Sequence, residues 1–344
     1  MGRHTAGALK AAGNAINRSV PGGTEASYTI AGHLVTAFIN QLNQVERVET
    51  LVANPLLGDV RRVVRYSGYR DFGGLQFPSL ISEYEGDDAV FALAVTDVQI
   101  NPAVADIQVP DNVRAYRLPA PVVTLQRIAA GVYWVTGSTH HSMAVDMGKF
   151  LVMVEAPLDE THSAAAIAGI KHLLPGKPIR YVINTHLHSD HSGGLRTYVA
   201  EGAVVVTRTV NQAYYERAWA APRTLEPDRL LRSGKRAKFM PVDDHAEIRG
   251  TNGRLIDLYH LQGNPHNDEM LVAWLSTDRI LFESDMLNGV SYSAPVAHPS
   301  PVLVNFYANL QRLKLQPLQI IGGHGSKITT MADLNFAVGK SSQP

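Results

Sequence analysis

The sequence contains no cysteine among its 344 residues. Disulfides, thiolate metal ligands and a cysteine nucleophile are therefore excluded, so any bound metal must be held by imidazole and carboxylate groups. The chain also has no excess of charge, because 31 basic residues balance 31 acidic ones. Without an overall positive field, a nucleic-acid partner is not expected.

Long hydrophobic runs are also missing from the sequence. No stretch approaches the roughly 18 uninterrupted apolar residues of a transmembrane helix, so no membrane span is expected. The first 20 residues lack the apolar core of a signal peptide. The chain as given fits either a cytoplasmic protein or the processed form of an exported one, and its composition leaves a homo-oligomer open.

The apolar residues that are present, 45% of the chain, suffice for one large core or two modest ones. Residues 8–19 have the pattern of a short amphipathic helix. Short β-branched runs separated by turn residues then predict several strands between residues 28 and 98. The next segment is interrupted by prolines at positions 102, 110, 119 and 121. We therefore place a domain boundary near residue 120, after a β-rich N-terminal region (1–120) whose role the sequence does not indicate.

Beyond that boundary, in the predicted second domain (121–344), strand and helix patterns alternate. Strands are predicted at 132–136, 150–155 and 179–184, and a helix at 160–174. Ser300-Pro301 favours the start of a last helix, because serine suits an N-cap and proline the first turn. This alternation indicates the α/β class.

One segment concentrates the residues that carry chemistry. Between Asn184 and Gly194, directly after a predicted strand, three histidines and an aspartate fall within six positions. On extended backbone, His186 and His188 point to the same side. If the chain then turns into a helix, Asp190 and His191 can face a second point nearby, and the glycines at 193 and 194 allow the tight backbone this requires.

This His-x-His-x-Asp-His pattern resembles the signature of the metallo-β-lactamase superfamily. Three downstream residues match the remaining positions of the family's pattern, in the right order: His266, Asp285 and His324. The resemblance covers roughly residues 123–330. It implies an α/β fold, the four-layer αββα metallo-β-lactamase sandwich, preceded here by the β-rich N-terminal region.

The resemblance also implies a dinuclear metal site. One ion would take His186, His188 and His266, the other would take Asp190, His191 and His324, and Asp285 would bridge them. Nitrogen and oxygen ligands suit two Zn²⁺ ions, and iron or manganese also fits. A metal-bridging hydroxide would be the nucleophile, with Asp190 as the catalytic residue that orients it and shuttles its proton.

Asp285 bears on the substrate. Zinc β-lactamases of the superfamily usually carry cysteine or serine at that position, so the resemblance implies a different hydrolase. We expect it to act on an ester, lactone, amide or related acyl bond of a small molecule. The alternatives are a phosphodiesterase or nuclease, a β-lactamase-like activity on the same site, and a diiron redox protein.

Three loop residues are weaker candidates for substrate contact. His141 follows a predicted strand, and Tyr292 and His298 lie in the loop after Asp285, where pocket-lining residues are common. The remaining histidines, His140 among them, are assigned no role, because most histidines outside active sites make ordinary hydrogen bonds.

Overall fold

The computed structural model describes residues 15–103, 108–117 and 119–341. They form two compact units. The first comprises the described residues up to 117 together with Ala221–Glu226, and the second comprises Pro119–Ala220 and the described residues from Pro227 onward. None of the helices in this described part has the length and apolar character needed to span a bilayer.

The first unit is a seven-stranded antiparallel sheet in which each strand pairs with the next along the chain. Its strands are β1 (Ile16–Val20), β2 (Gly23–Ile30), β3 (His33–Asn40), β4 (Val45–Asn54), β5 (Gly58–Asp71), β6 (Gln76–Glu85) and β7 (Asp88–Ala94). Its buried apolar residues are Ala26, Tyr28, Ala37, Phe38, Val60 and Val63. The helix α1 (Asp111–Ala115) lies in the proline-containing segment that follows.

The predicted N-terminal helix is wrong where the structure describes it. Residues 8–14 lie outside the described residues, and Ile16–Val20 form a strand paired with β2, with Val20 opposite Gly23. Gly22 has a φ of 85° and closes the tight turn between the two strands. Cross-strand pairing outweighs the weak helical pattern of this segment.

The second unit contains two sheets. In the first sheet the strand order is β14-β13-β12-β11-β10-β9-β8, and in the second it is β15-β16-β17-β18-β19. The first sheet contains β8 (Thr124–Ala129), β9 (Val132–Thr136), β10 (Ser142–Asp146), β11 (Leu151–Val154), β12 (Ile179–Ile183), β13 (Val204–Arg208) and β14 (Phe239–Val242). The second contains β15 (His245–Arg249), β16 (Leu255–His260), β17 (Leu271–Leu275), β18 (Ile280–Glu283) and β19 (Gln319–Gly322).

Helices lie between these strands and after the last of them. They are α2 (Glu160–Leu173), α3 (Ser189–Ser192), α4 (Leu195–Glu201), α5 (Thr209–Ala220), α6 (Arg229–Ser233), α7 (Pro301–Leu313) and α8 (Met331–Ala337). Ser300 occupies the N-cap of α7 and Pro301 its first turn, as the sequence predicts, although the Ser300 side chain makes no capping hydrogen bond.

Buried residues show how the layers are stacked. Val152 and Val154 of β11 face a core that the two sheets share, whereas Leu151 and Met153 of the same strand face a core formed with α2, α4 and α5. A third core joins the outer face of the second sheet to α7 and α8. The unit is therefore a four-layer αββα sandwich, and its central strands β11, β17 and β18 are buried on both faces.

Parallel strand pairs bring several chain segments together at strand ends. β11 pairs in parallel with β12, and β18 pairs in parallel with β19. The carboxyl ends of parallel strands meet at one edge of a sheet, which is where open α/β sheets usually build their sites. The histidine-rich segment, Asp285 and His324 each follow one of these four strands.

Candidate metal centre

The histidine-rich segment begins where β12 ends. His186 and His188 lie on extended backbone with their ring centroids 4.4 Å apart, and the chain then enters α3, which carries Asp190 and His191. Asn184 anchors the segment, because its side-chain amide donates a hydrogen bond to the His186 carbonyl at 2.5 Å. The change from strand to helix therefore directs the two pairs of side chains to different points.

Gly193 and Gly194 follow α3 for a reason other than backbone freedom. Their φ angles are −60° and −96°, which any residue can adopt. A Cβ on Gly193 would lie 1.9 Å from the Leu158 carbonyl oxygen, and one on Gly194 would lie 1.8 Å from the Ser163 hydroxyl. Glycine is required because the chain at the end of α3 packs closely against α2 and against the segment before it.

The first pocket is formed by His186, His188 and His266. One nitrogen from each ring lies within 4.8 Å of the others. His186 Nε2 and His266 Nε2 are buried and have no hydrogen-bond partner among the described residues. Buried polar atoms without partners are rare, so these nitrogens are suited to a bound ligand. His186 Nδ1 lies 3.1 Å from the Thr185 hydroxyl, which favours a proton on Nδ1 and a lone pair on Nε2.

The surroundings of the first pocket keep the imidazoles of His186 and His188 neutral. Burial and the neighbouring His191 lower the pKa of His186 to about 3. Burial is the main cause that lowers the pKa of His188, and the nearby His266 lowers it further. Neutral imidazole is the form that binds a metal ion.

The second pocket contains Asp190, His191 and His324, and also His140. One atom from each of the four side chains lies within 4.8 Å of the others. His191 Nε2 is 3.1 Å from His324 Nε2 and 3.4 Å from Asp190 Oδ2. Burial opposes ionisation of Asp190, but the hydrogen bond from His140 and the charge of His191 hold its pKa below the ordinary value. Sequence reasoning placed three of these four residues together and gave His140 no role.

Asp285 lies between the two pockets. Its Oδ2 is 3.3 Å from His186 Nε2 and 3.4 Å from His266 Nε2. Its Oδ1 is 3.1 Å from His191 Nε2 and 2.8 Å from His324 Nε2. Each carboxylate oxygen thus faces a different pocket. Burial opposes the charge, but hydrogen bonds from His191 and His324 hold the pKa of Asp285 far below its usual range.

Glu155 is a site residue that the sequence did not reveal. It follows β11, is fully buried, and has a left-handed backbone with a φ of 78°, which is strained for a residue other than glycine. Its Oε2 lies 2.5 Å from His191 Nδ1, and its Oε1 accepts the Thr185 backbone N–H at 2.8 Å. Such a carboxylate orients the imidazole so that its other nitrogen faces the pocket.

A second buried carboxylate supports the chain after β18. Glu283 accepts hydrogen bonds from the backbone N–H groups of Met286 at 2.7 Å and Leu287 at 3.3 Å. These bonds shape the turn that presents Asp285. Burial raises the pKa of Glu283 to about 7. No sequence motif marks either Glu155 or Glu283, since each is a lone acidic residue at a strand end.

The three weaker candidates lie in different environments. His141 is 5% exposed, and its Nε2 faces the carbonyl oxygen of Gly325, next to His324. Tyr292 packs at the margin of the core beneath α7. His298 is exposed in the loop before α7. Contact of these residues with a substrate stays a prediction.

A sequence model described as the metallo-beta-lactamase superfamily matches residues 135–324, which is more than half of the chain. The matched range begins in β9 and ends at His324, so it includes both pockets. A search of curated proteins finds no match.

Solved structures similar to this chain include three that illustrate the range. A metallo-beta-lactamase from Pontibacter korlensis is 17% identical with a TM-score of 0.49, covering 63% of this chain and 97% of that one. The FIM-1 metallo-beta-lactamase from Pseudomonas aeruginosa, in a mono-zinc form, is 20% identical with a TM-score of 0.48, covering 64% and 95%. Rubredoxin:oxygen oxidoreductase from Desulfovibrio gigas is 15% identical with a TM-score of 0.49, covering 62% and 61%. Likenesses of this size do not bear on substrate or metal.

Proposed function

The chain belongs to the metallo-beta-lactamase superfamily, and on that premise we propose that it is a metal-dependent hydrolase of a small-molecule ester, lactone, amide or related acyl bond. The observation that carries the proposal is the convergence of three buried atoms, His186 Nε2, His266 Nε2 and Asp285 Oδ2. None of them has a hydrogen-bond partner in the described part of the chain. A neutral or anionic donor atom left in this state is satisfied by a metal cation.

We assign the first ion to His186, His188 and His266, and the second to Asp190, His191 and His324, with Asp285 shared. The donor chemistry fits, because each pocket offers imidazole nitrogens with carboxylate oxygen and no sulfur. Zn²⁺ is the expected ion at both positions, and the same donors accept iron or manganese. When bound, two such ions supply Lewis acidity and lower the pKa of water toward neutrality.

Asp190 is the residue that we propose moves the proton. Its side chain is 44% exposed, whereas His186 and His191 are almost completely buried. Its lowered pKa keeps the carboxylate ionised at neutral pH. An ionised, accessible carboxylate at this position is suited to accept a proton from the attacking water and to return it to the leaving group.

The accessible side of the centre indicates where a substrate enters. The more exposed side chains are those of His266 at 31% and His324 at 26%. Together with Asp190 they form the rim, and His186, Glu155 and Asp285 form the floor. Tyr292 and His298, in the loop after Asp285, are the proposed substrate contacts. His141 is the third proposed substrate contact, and its side chain also faces the backbone beside His324.

A substrate panel tests the proposal. Purified protein should hydrolyse at least one ester, lactone, thioester or amide, lose that activity on chelation, and regain it when Zn²⁺ is restored. Asp190→Asn should lose activity while keeping its fold, and Asp243→Asn, an exposed carboxylate bonded to Thr209, serves as the control. Turnover of a phosphodiester alone would overturn the acyl assignment. Two bound irons without hydrolysis would favour the redox alternative.

A further inference from the structure

His140 lies in the loop between β9 and β10, opposite the end of β19. The two segments form an isolated antiparallel bridge between His140 and His324, and the His141 backbone N–H donates to the Gly323 carbonyl at 2.8 Å. Backbone pairing therefore fixes His140 against a residue of the second pocket. The rings of His140 and His324 have centroids 4.2 Å apart.

The Nε2 atom of His140 faces the other side chains of the second pocket. Its Nε2 is 3.1 Å from Asp190 Oδ2, and its ring is 5.5 Å from that of His191, centroid to centroid. Bonds of about 2.0–2.1 Å from a zinc ion to tetrahedral ligands place the ligand atoms roughly 3.3–3.4 Å apart. The separations among Asp190, His191 and His324 run from 3.1 to 3.9 Å, and the 3.1 Å between His140 Nε2 and Asp190 Oδ2 lies in the same range.

The second nitrogen of the ring is also accounted for. His140 Nδ1 lies 2.9 Å from the Thr139 hydroxyl oxygen. Without an ion, Nε2 carries the proton and donates it to Asp190 Oδ2. With an ion bound, the ring proton would lie on Nδ1 and be donated to the Thr139 oxygen, which leaves the Nε2 lone pair for the ion. The Nε2 lone pair and the Asp190 carboxylate would then both face the ion, and its positive charge would offset their mutual repulsion. The side chain is only 13% exposed, so water offers little screening.

We propose that His140 is a ligand of the second ion, which would then be held by His140, Asp190, His191 and His324 in addition to the shared Asp285. This inference rests on the proposed function, because it requires a metal at the second pocket. It makes the two pockets unequal, because the first offers three imidazoles and the shared carboxylate, whereas the second offers three imidazoles, the shared carboxylate and Asp190.

The test uses the full chain loaded with ¹¹³Cd²⁺, a spin-active substitute for zinc, and detects scalar coupling between each cadmium and imidazole ring protons. Such coupling passes only through a direct metal–nitrogen bond, so it separates a ligand from a hydrogen-bond partner. The expected result is three coupled imidazoles at each ion, with His140 coupled to the same ion as His191 and His324.

Variants identify the signal and supply a second readout. In His140→Ala, the coupling assigned to His140 should vanish, and affinity for the second ion should fall at least about tenfold, with the first ion unaffected. His172→Ala, an exposed histidine on α2, is the matched control. Two bound ions with no coupling to His140 in the unmodified protein would overturn this inference and leave the hydrolase standing. Failure to bind any ion would overturn the proposed function itself.

Discussion

Each pocket contains a buried histidine, but the groups around the two histidines shift their pKa values in opposite directions. His186 in the first pocket is buried beside a hydroxyl, and its pKa is lowered to about 3. His191, five residues later, is also buried, yet the carboxylates of Glu155 and Asp285 overcome the effect of burial and raise its pKa to about 10. The first pocket therefore presents a neutral imidazole at His186. The second presents a positively charged imidazolium at His191, which must lose a proton before it can bind a cation.

This difference shows how the group that hydrogen-bonds to Nδ1 of an imidazole determines the charge and the metal affinity of the ring. Thr185 offers His186 a neutral oxygen, and its own hydroxyl donates onward to Ser284 at 3.0 Å. Glu155 offers His191 a full negative charge. A charged partner makes the imidazole a stronger base and a stronger ligand. We therefore expect the second pocket to be the more sensitive to pH and to changes in its surroundings.

The largest effect is expected from Asp285→Asn, which disturbs both pockets at once. The amide keeps the shape of the side chain but has one oxygen, so it cannot present an anionic oxygen to each pocket. Ion content should fall from two per chain to one or none. The rate of hydrolysis should fall by more than about a hundredfold, which is the upper end of the effect of changing a residue that only hydrogen-bonds to a metal ligand. Elemental analysis and initial rates measure both. Asp257→Asn, a buried aspartate on β16, should change neither.

A smaller and one-sided loss is expected from Glu155→Gln. Both oxygens of Glu155 serve as acceptors, one for His191 and one for the Thr185 N–H. Glutamine can satisfy only one of these and turns its NH₂ group toward the other donor. Affinity for the second ion should fall about 10- to 100-fold, as measured by competition with a chromophoric chelator.

The first ion provides the internal comparison in that experiment, and Glu201→Gln, paired with Lys171 at the surface, provides the external one. Equal weakening of both ions would contradict the assignment of Glu155 to the second pocket alone.

The pH dependence of binding should separate the pockets. Below about pH 10, an ion entering the second pocket must displace the proton of His191, so its affinity should rise about tenfold per pH unit. His186 is neutral above about pH 3 and adds no such slope to the first pocket. Competition titrations from pH 6.5 to 8.5 measure both slopes. Parallel slopes for the two ions would disprove this difference.

The same raised pKa has a consequence for the chelated protein. Its stabilising contribution is fully present below the unfolded pKa of 6.5 and is lost as pH rises through about 10. Urea unfolding of chelated protein should therefore show stability decreasing over that range. With Glu155→Gln, the decrease should be smaller.

The smallest effect is expected from Thr185→Val. Valine keeps the shape and the backbone N–H bond to Glu155, but removes the hydroxyl beside His186 Nδ1. A neutral hydrogen-bond partner strengthens a metal ligand less than a charged one does. The affinity of the first pocket for its ion should therefore fall by less than about tenfold, which is below the effect expected for a carboxylate that hydrogen-bonds to a ligand. Thr197→Val, another buried threonine, is the control. A loss as large as that of Glu155→Gln would remove the contrast between the pockets.

The sequence predicted the αββα fold and the superfamily, and both are confirmed. This succeeded because His186 to His191 form a dense local pattern and His266, Asp285 and His324 each follow a strand that hydrophobic runs mark clearly. The fold and the candidate metal-ligand residues could therefore be predicted from residue patterns that are local in the sequence.

The residues that were missed depend on long-range contacts. Glu155 reaches His191 only because β11 and β12 are neighbours in the sheet, and His140 reaches His324 only through a bridge between distant segments. A single acidic residue or one of two adjacent histidines has no local pattern that indicates these partners. The β1 strand was missed for the same reason, since its pairing with β2 outweighs its own preference.

We propose that each of the two pockets holds a metal ion and that hydrolysis depends on both ions. Elemental analysis of the purified protein, before and after chelation, tests it most directly. We expect close to two zinc ions per chain, and chelation should remove the ions and the hydrolytic activity together. A protein that retains full hydrolytic activity with no bound metal would contradict it.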